Sequence, residues 1–326
     1  LSHRFRTAFA PLSHRFRTGE RRRYQKSNPS FILSIFMENL RAIALMVLSM
    51  AGFAIEDMLI KYIALEMPTG QFLMLIGAGG ALIFTLMAWR QGQAVLSADF
   101  LRPTIIIRNL GEVIGTLGFV TALVLTPLSS ASAILQATPL AVTLGAALFL
   151  REAVGWRRWS AILIGFCGVV AVIRPGLEGF QPASLFAVLG VIGLATRDVA
   201  TRATPATISS LVLSAHGFGM LVPAGAFLLW ISGGAVAPSA QGYGLLFTAL
   251  IIGVSAYYAL TLSMRLGDVA VVTPFRYVRL VFALFIGVTV FHEQPDAWTL
   301  GGAAIIILSG LYTFFRERQL GLKTRS

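Results

Sequence analysis

Glu56-Asp57, Arg108 with Glu112, Arg197-Asp198, and Arg276-Tyr277 with Arg279 stand inside stretches that are otherwise apolar. A charge placed in hydrocarbon costs about 3 kcal/mol on insertion scales, so such groups turn inward to water or to partners. Four acids meet four arginines, which allows a nearly neutral interior. Two readings stand side by side. In one, the charges are structural ion pairs, and Arg108, Arg197 and Arg279 lie near enough to helix ends to reach headgroups. In the other, a carboxylate exchanges protons and an arginine holds an anionic part of a solute.

Spacing adds detail. Arg108 and Glu112 are four apart, hence on one helix face. Glu56 and Asp57 are neighbours, about 100° apart on a helix, so one faces a cavity and the other an adjoining helix. Gln136 and Pro139 share the middle of one stretch. Proline there removes a backbone hydrogen bond and marks Pro139 as a hinge or a packing kink; Pro223 and Pro274 are similar cases. Tyr257-Tyr258 and Tyr277 bring aromatic faces with hydroxyls, which suit either a cavity for a flat solute or an interfacial belt. The candidate binding or coupling set is therefore Glu56, Asp57, Arg108, Glu112, Gln136, Tyr257, Tyr258, Arg276 and Tyr277. His216 is isolated, and both a satisfied structural histidine and a proton relay remain open.

The elements that must position these groups follow from composition. Hydrophobic residues make up 56% and charged residues 12%, where a soluble domain carries about 25% charged. Mean hydropathy is +0.78. Ten apolar stretches of membrane-crossing length fall near 42–62, 70–89, 104–124, 129–150, 159–175, 183–203, 207–231, 243–264, 269–291 and 297–316. Short loops join them. The expected fold is an all-α, multi-pass integral membrane bundle. Cys167 is the single cysteine, so neither a disulfide framework nor a metal-binding thiolate cluster is expected, and its apolar span suggests a small packing residue. No cofactor is expected.

The net charge of +12 does not indicate nucleic acid, because its distribution is one-sided. Arg90, Arg102, Arg151, Arg157, Arg158, Arg202, Arg265, Arg316 and Arg318 fall in alternate loops or the tail, against Lys61 and Arg174 on the other side. This asymmetry places both termini in the cytoplasm, with a bacterial inner membrane as the expected location.

Residues 1–36 look unlike the rest. Leu-Ser-His-Arg-Phe-Arg-Thr occurs at Leu1–Thr7 and again at Leu12–Thr18, and Met37 precedes the first apolar stretch. An upstream start site, a basic tail drawn to anionic lipid and a transit peptide are three readings of this segment. It is expected to be disordered.

Internal similarity organises the remainder. Laying Glu152 on Glu293 aligns Leu128–Gly168 with Val269–Gly310, with one extra residue. Five crossings precede the Pro175–Pro182 linker and five follow it. An odd number inverts the second half, as in many secondary transporters. The expected units are a first repeat at 37–176, a second at 183–318 and a cytoplasmic tail at 319–326. Gly111 and Gly115, Gly77, Gly79 and Gly80, and Gly165, Gly168, Gly301 and Gly302 are sites where helices can approach closely.

The runs Leu128-Ser-Ser-Ala-Ser-Ala-Ile134, Pro139-Leu140, Leu150-Arg-Glu152, Gly155-Trp156 and Arg174-Pro175-Gly176, with Gly267-Asp268-Val269-Ala270 in the second copy, resemble the drug/metabolite transporter superfamily, EamA type. The resemblance spans about Met37 to Arg318. It implies ten helices in two inverted five-helix halves, and exchange of a small solute through a central cavity. Many relatives carry an arginine in the second span, where this chain has Ile76-Gly77, so Arg108 or Arg276 would anchor an anionic group instead. Met37-Glu-Asn-Leu-Arg41 and Ala54-Ile-Glu-Asp-Met58 are similar to the bacterial riboflavin-uptake branch. The expected function is secondary active transport by alternating access, of riboflavin or another flat aromatic solute, with proton coupling through a carboxylate. Export of amino acids or drugs is the alternative within this class. An integral membrane enzyme is the rival class, yet no H-E-x-x-H, G-x-S-x-G or P-loop occurs.

Overall fold

The computed structural model describes residues 29–152, 155–205, 207–266 and 269–323, with side chains described from Met37 to Phe315 except, within these ranges, at 98, 269, 270 and 314. Most of the expected extension, residues 1–28, and the last three residues of the tail lie outside these. The backbone is helical from Pro29, where α1 (Pro29–Ile63) begins. No strand occurs among the described residues.

The other helices of the first half are α2 (Thr69–Arg90), α3 (Pro103–Leu125), α4 (Leu128–Leu135), α5 (Thr138–Phe149) and α6 (Trp156–Ile173). Those of the second are α7 (Ser184–Arg202), α8 (Ser210–Ile231), α9 (Ala240–Leu266), α10 (Val269–Val272), α11 (Val278–Thr289) and α12 (Ala297–Lys323). Eight spans, with α4 and α5 counted as one, are long and apolar enough to cross a membrane. The ninth crossing is divided into α10, a 3-10 turn at Thr273–Tyr277, and α11. The tenth, α12, has a shorter apolar part at Ala297–Thr313. Ten crossings in two inverted five-helix repeats form the protein.

Packing carries the inversion. The most extensive contacts all join one half to the other: α3 with α7, α1 with α9, α2 with α8, and α6 with α12. Exchanging the halves turns the first pair into the second and each of the last two into itself. The smaller contacts of α5 with α7 and α11 with α1 exchange in the same way. Each half therefore buries its surfaces against its inverted copy.

Small residues make these contacts possible. A side chain on Gly193 would strike the backbone of Gly115, and one on Gly168 would lie 2.8 Å from the Gly302 carbonyl oxygen. Without a hydrophobic force between helices in lipid, such backbone approaches supply dispersion contact. Gly301, by contrast, faces open space and takes no part.

The outer surface is apolar. Leu82, Leu163, Phe247 and Phe285 are all exposed, as expected of side chains that face lipid. Trp89, Trp156, Trp230 and Trp298, exposed near helix ends, suit the interfacial belts. Cys167 belongs to this outer face and is exposed, so the expected packing role does not hold. Its position on α6 points it away from the α6–α12 contact that Gly165 and Gly168 make.

Candidate functional site

The fourth and ninth crossings break where the sequence places proline. α4 ends with Gln136 as its cap, and α5 opens at Thr138 with Pro139 in its first turn. Pro139 thus bends no continuous helix; its missing N–H falls where none is needed. The carbonyl of Leu135 accepts instead from Thr138 Oγ1 at 2.6 Å. In the second half, Pro274 opens the 3-10 turn. Pro223 remains inside the unbroken α8.

These breaks border a space between the halves. One volume of about 190 Å³ is lined by Glu56, Asp57, Glu112, Gln136, Arg197, Arg276 and Arg279, with Phe53, Phe72, Phe119 and Phe218 as aromatic walls. A second, of about 370 Å³, is lined by Arg108, Asp198, Thr143, Thr261 and Tyr277 and reaches Arg202 and Arg265 near the ends of α7 and α9. The two share Pro139, Arg197, Tyr257, Leu260 and Arg276. Another groove, about 610 Å³, runs along α5, α6 and α7 among Leu144, Phe149, Phe166 and Val188. It has no charged lining residue, so the interior charges belong to the first two.

Within that space the charges form two groups. Arg279 Nη2 donates to both carboxylate oxygens of Asp57 at 2.8 Å, and Nε approaches Oδ2 at 3.3 Å. Its guanidinium lies between the rings of Phe53 and Phe119, 5.1 and 5.2 Å from their centres. Arg279 therefore does not reach a headgroup; α11 starts just before it, at Val278, and aims it at α1. In the other group Glu112 accepts from Arg108 at 3.2 Å and Arg197 at 3.1 Å. Arg197 also meets Asp198 at 2.8 Å, and Arg276 stands 3.8 Å from Asp198. Arg108 is 2% exposed, so it too is an interior group.

Glu56 is the exception. It lines the cavity, and a side chain added at Gly253 of α9 would collide with its carboxylate. Among the described residues it has no hydrogen bond or ion pair, whereas its neighbour Asp57 is bound to Arg279.

The aromatic candidates separate. Tyr257 receives a hydrogen bond from Arg108 at 3.3 Å and meets Phe84 and Phe218 edge-on. Tyr258, one position on, lines neither volume and packs on the cluster around Phe84 and Leu211. Tyr277 lines the second volume, its buried hydroxyl pressed on Gly310 without a hydrogen bond. His216 holds the Val95 carbonyl at 2.7 Å and packs edge-on against Phe100, which ties the loop before α3 to α8.

The end of the bundle opposite Arg202 is bound together across the halves. Glu293 accepts from the first amides of α4, Leu128 at 2.5 Å and Ser129 at 2.9 Å. Arg174 meets Asp296 at 2.5 Å. Gln71 exchanges two hydrogen bonds with Val236, and Glu66 accepts from Ser239. Glu293 is thus a helix cap, the role its place after a crossing suggests. Arg279, Arg197 and Asp198 are the cavity residues that the candidate set lacked. Their signal in the sequence is charge within an otherwise apolar span.

Comparison with known proteins gives this architecture its class. Residues 40–174 and 181–315 match the EamA-like transporter family, and the chain belongs to that family. It is 26% identical over 281 residues to the S-adenosylmethionine uptake transporter of Rickettsia felis, covering 86% of this chain and 94% of the relative. It is 31% identical to the riboflavin transporter of Rhizobium johnstonii over 63% of this chain and 67% of the relative. The pseudopaline exporter CntI of Pseudomonas aeruginosa is 24% identical over 82% and 93% of the two chains. A crystal structure with TM-score 0.53 and 18% identity, over 82% of this chain and 98% of the other, shares the fold. The protein is a multi-pass membrane transporter of that family.

Proposed function

We propose that the chain is a secondary active transporter that carries a small organic metabolite with a flat aromatic part by alternating access. Its units are the repeats at 37–176 and 183–318, its membrane the bacterial inner membrane, and both termini face the cytoplasm. The observation that carries this reading is the central space. It reaches Arg202 and Arg265 at one end of the bundle, while Glu293 and Arg174 tie the halves together at the other. Two inverted halves can exchange these arrangements at little cost, which moves the opening from one face to the other.

The positive-inside pattern puts the Arg202 end in the cytoplasm. Gln136, Tyr257 and Arg276, together with Arg279, are the polar contacts proposed for a bound solute, and the loops at Gln136–Ala137 and Thr273–Tyr277, with Pro139 beside the first, are the hinges. Phe53, Phe119, Phe218 and Tyr257 suit a flat ring. Two solutes of the relatives have one: riboflavin, a neutral isoalloxazine, and S-adenosylmethionine, an adenine joined to a charged amino acid.

Uptake into proteoliposomes tests the reading. Labelled riboflavin and S-adenosylmethionine are each followed with and without an imposed ion gradient. Saturable, gradient-driven accumulation of either supports it. A solute that is chemically changed rather than accumulated would favour the enzyme class.

A further inference from the structure

The second half repeats the first at a register of 141 residues, and this register pairs the cavity charges in an uneven way. Glu152 lies on Glu293, Gly52 on Gly193, Gly115 on Ala256, and Asp57 on Asp198. The contacts obey it. Gly193 touches Gly115 where α7 crosses α3, and Gly52 touches Ala256 where α1 crosses α9. Arg151 and His292, also so related, both have a left-handed backbone, with φ of 56° and 54°.

Under the same register Glu56 stands where Arg197 stands, and Gly253 where Glu112 stands. One side of the cavity thus holds the Arg197–Glu112 ion pair. At the mirrored place a carboxylate faces a glycine, and among the described residues no cation forms an ion pair with it. The remaining charges follow suit. Arg108, Arg197 and Arg276 gather around Glu112 and Asp198, three cations to two anions. Glu56 and Asp57 share Arg279, two anions to one cation. The charged residues of the space are thus divided unevenly, acids outnumbering arginines beside Glu56 and arginines outnumbering acids toward Arg276 and Arg108.

We infer that Glu56 is the subsite for an onium centre, and that the cavity selects solutes bearing such a fixed cation in addition to an amino acid group beside a flat ring. The Glu56 carboxylate packs on the bare backbone of Gly253, and Glu56 also lines the cavity. The anion of the same solute then meets the arginine-rich side. A neutral flavin satisfies neither end. The inference rests on the reading that this space carries the solute.

The test compares S-adenosylmethionine with S-adenosylhomocysteine, its uncharged thioether, in binding and uptake by purified protein in liposomes. Both share the adenosine and the zwitterionic amino acid group, so they differ only in the S-methyl group and the sulfonium charge it creates. The expected result is a preference of about tenfold or more for the sulfonium in the wild type, as a charged contact in a partly dry site supplies. Glu56→Gln should bring the ratio of the two near unity, and Glu56→Asp should restore part of it. An unchanged ratio in Glu56→Gln overturns the assignment, as does a wild type that takes both alike. If the protein carries riboflavin or adenosine and neither sulfonium nor thioether, the subsite fails while the transporter reading stands. If no flat solute is bound or carried, the transporter reading itself fails.

Discussion

Lys61 and Arg202 occupy equivalent places in the two repeats, 141 residues apart, and end at opposite faces of the bundle. Lys61 Nζ donates to the carbonyls of Leu123 at 3.1 Å and Thr126 at 2.7 Å, and lies 5.4 Å from the centre of the Phe291 ring. Arg202 is exposed, and its nearest carboxylate, Glu152, stands 3.8 Å away. Related side chains thus have different surroundings, tight at one end and open at the other. An inverted-repeat protein caught in one of two alternating states should look like this.

Thiol labelling checks this asymmetry. With Cys167 replaced by serine, cysteine at Thr261 should react with an impermeant reagent applied from the Arg265 face. Cysteine at Val120 or Ile60, deep in the space toward Lys61, should react poorly from the Lys61 face. Lys61→Met together with Glu293→Gln should raise that second rate severalfold, because both substitutions loosen the closed end.

Asp57 and Arg279 are a buried pair, with side chains 3% and 16% exposed. Removing one partner leaves the other charge uncompensated, at a cost of about 3–5 kcal/mol in comparable cases. Arg279→Met should therefore lower the melting temperature in detergent sharply. Combining it with Asp57→Leu should restore much of the loss. Additive losses in the double variant would argue against the pairing.

Gly193→Val should prevent α7 from meeting α3 at Gly115, and should abolish a monodisperse peak in size-exclusion chromatography. Gly301→Ala, at a helix position with nothing within 4 Å, should be neutral or slightly stabilising. Alanine removes unfolded-state freedom worth about 0.4–1 kcal/mol at such sites.

Glu293→Ala leaves the first two amides of α4 without their acceptor. A lost N-terminal cap costs about 1 kcal/mol. The expected readout is a melting point lowered by a few degrees, with less change for Glu152→Ala at the open end.

Asp296 gives a pH dependence. The Thr299 amide first of all, opposed by desolvation and helped by the Thr299 hydroxyl and Arg174, holds its carboxyl below the usual aspartate range. A depressed folded-state value stabilises above the ordinary aspartate pKa of about 3.9 and loses that effect as pH falls through the lowered value. Melting temperature should therefore drop on acidification in this window more steeply for the wild type than for Asp296→Asn.

Much of this protein is legible in its sequence. Length and apolarity of the segments set the crossings, since only a hydrogen-bonded helix can cross lipid. The repeat of Glu152 at Glu293, with an odd count of crossings, set the inversion. The position of Pro139 marked a break, though as the start of a new helix rather than a bend.

Side-chain partnership was less legible. Helical spacing gave Arg108–Glu112, four residues apart, and placed Glu56 and Asp57 on different faces. It could not join Asp57 to Arg279 across 222 positions, nor Arg197 to Glu112. Nearness to a helix end left a headgroup contact open for Arg279, whereas Asp57 on the neighbouring helix supplies a counter-charge that holds it inward.

What the sequence determined by itself, then, is hydropathy, crossing number, repeat register and the inventory of interior charge, all of which are local or additive along the chain. Tertiary structure alone decided which charge meets which, and which is left over. That outcome depends on the close approach of glycine-bearing helices from opposite halves. The same packing leaves Glu56 facing Gly253, where its counterpart Arg197 faces Glu112.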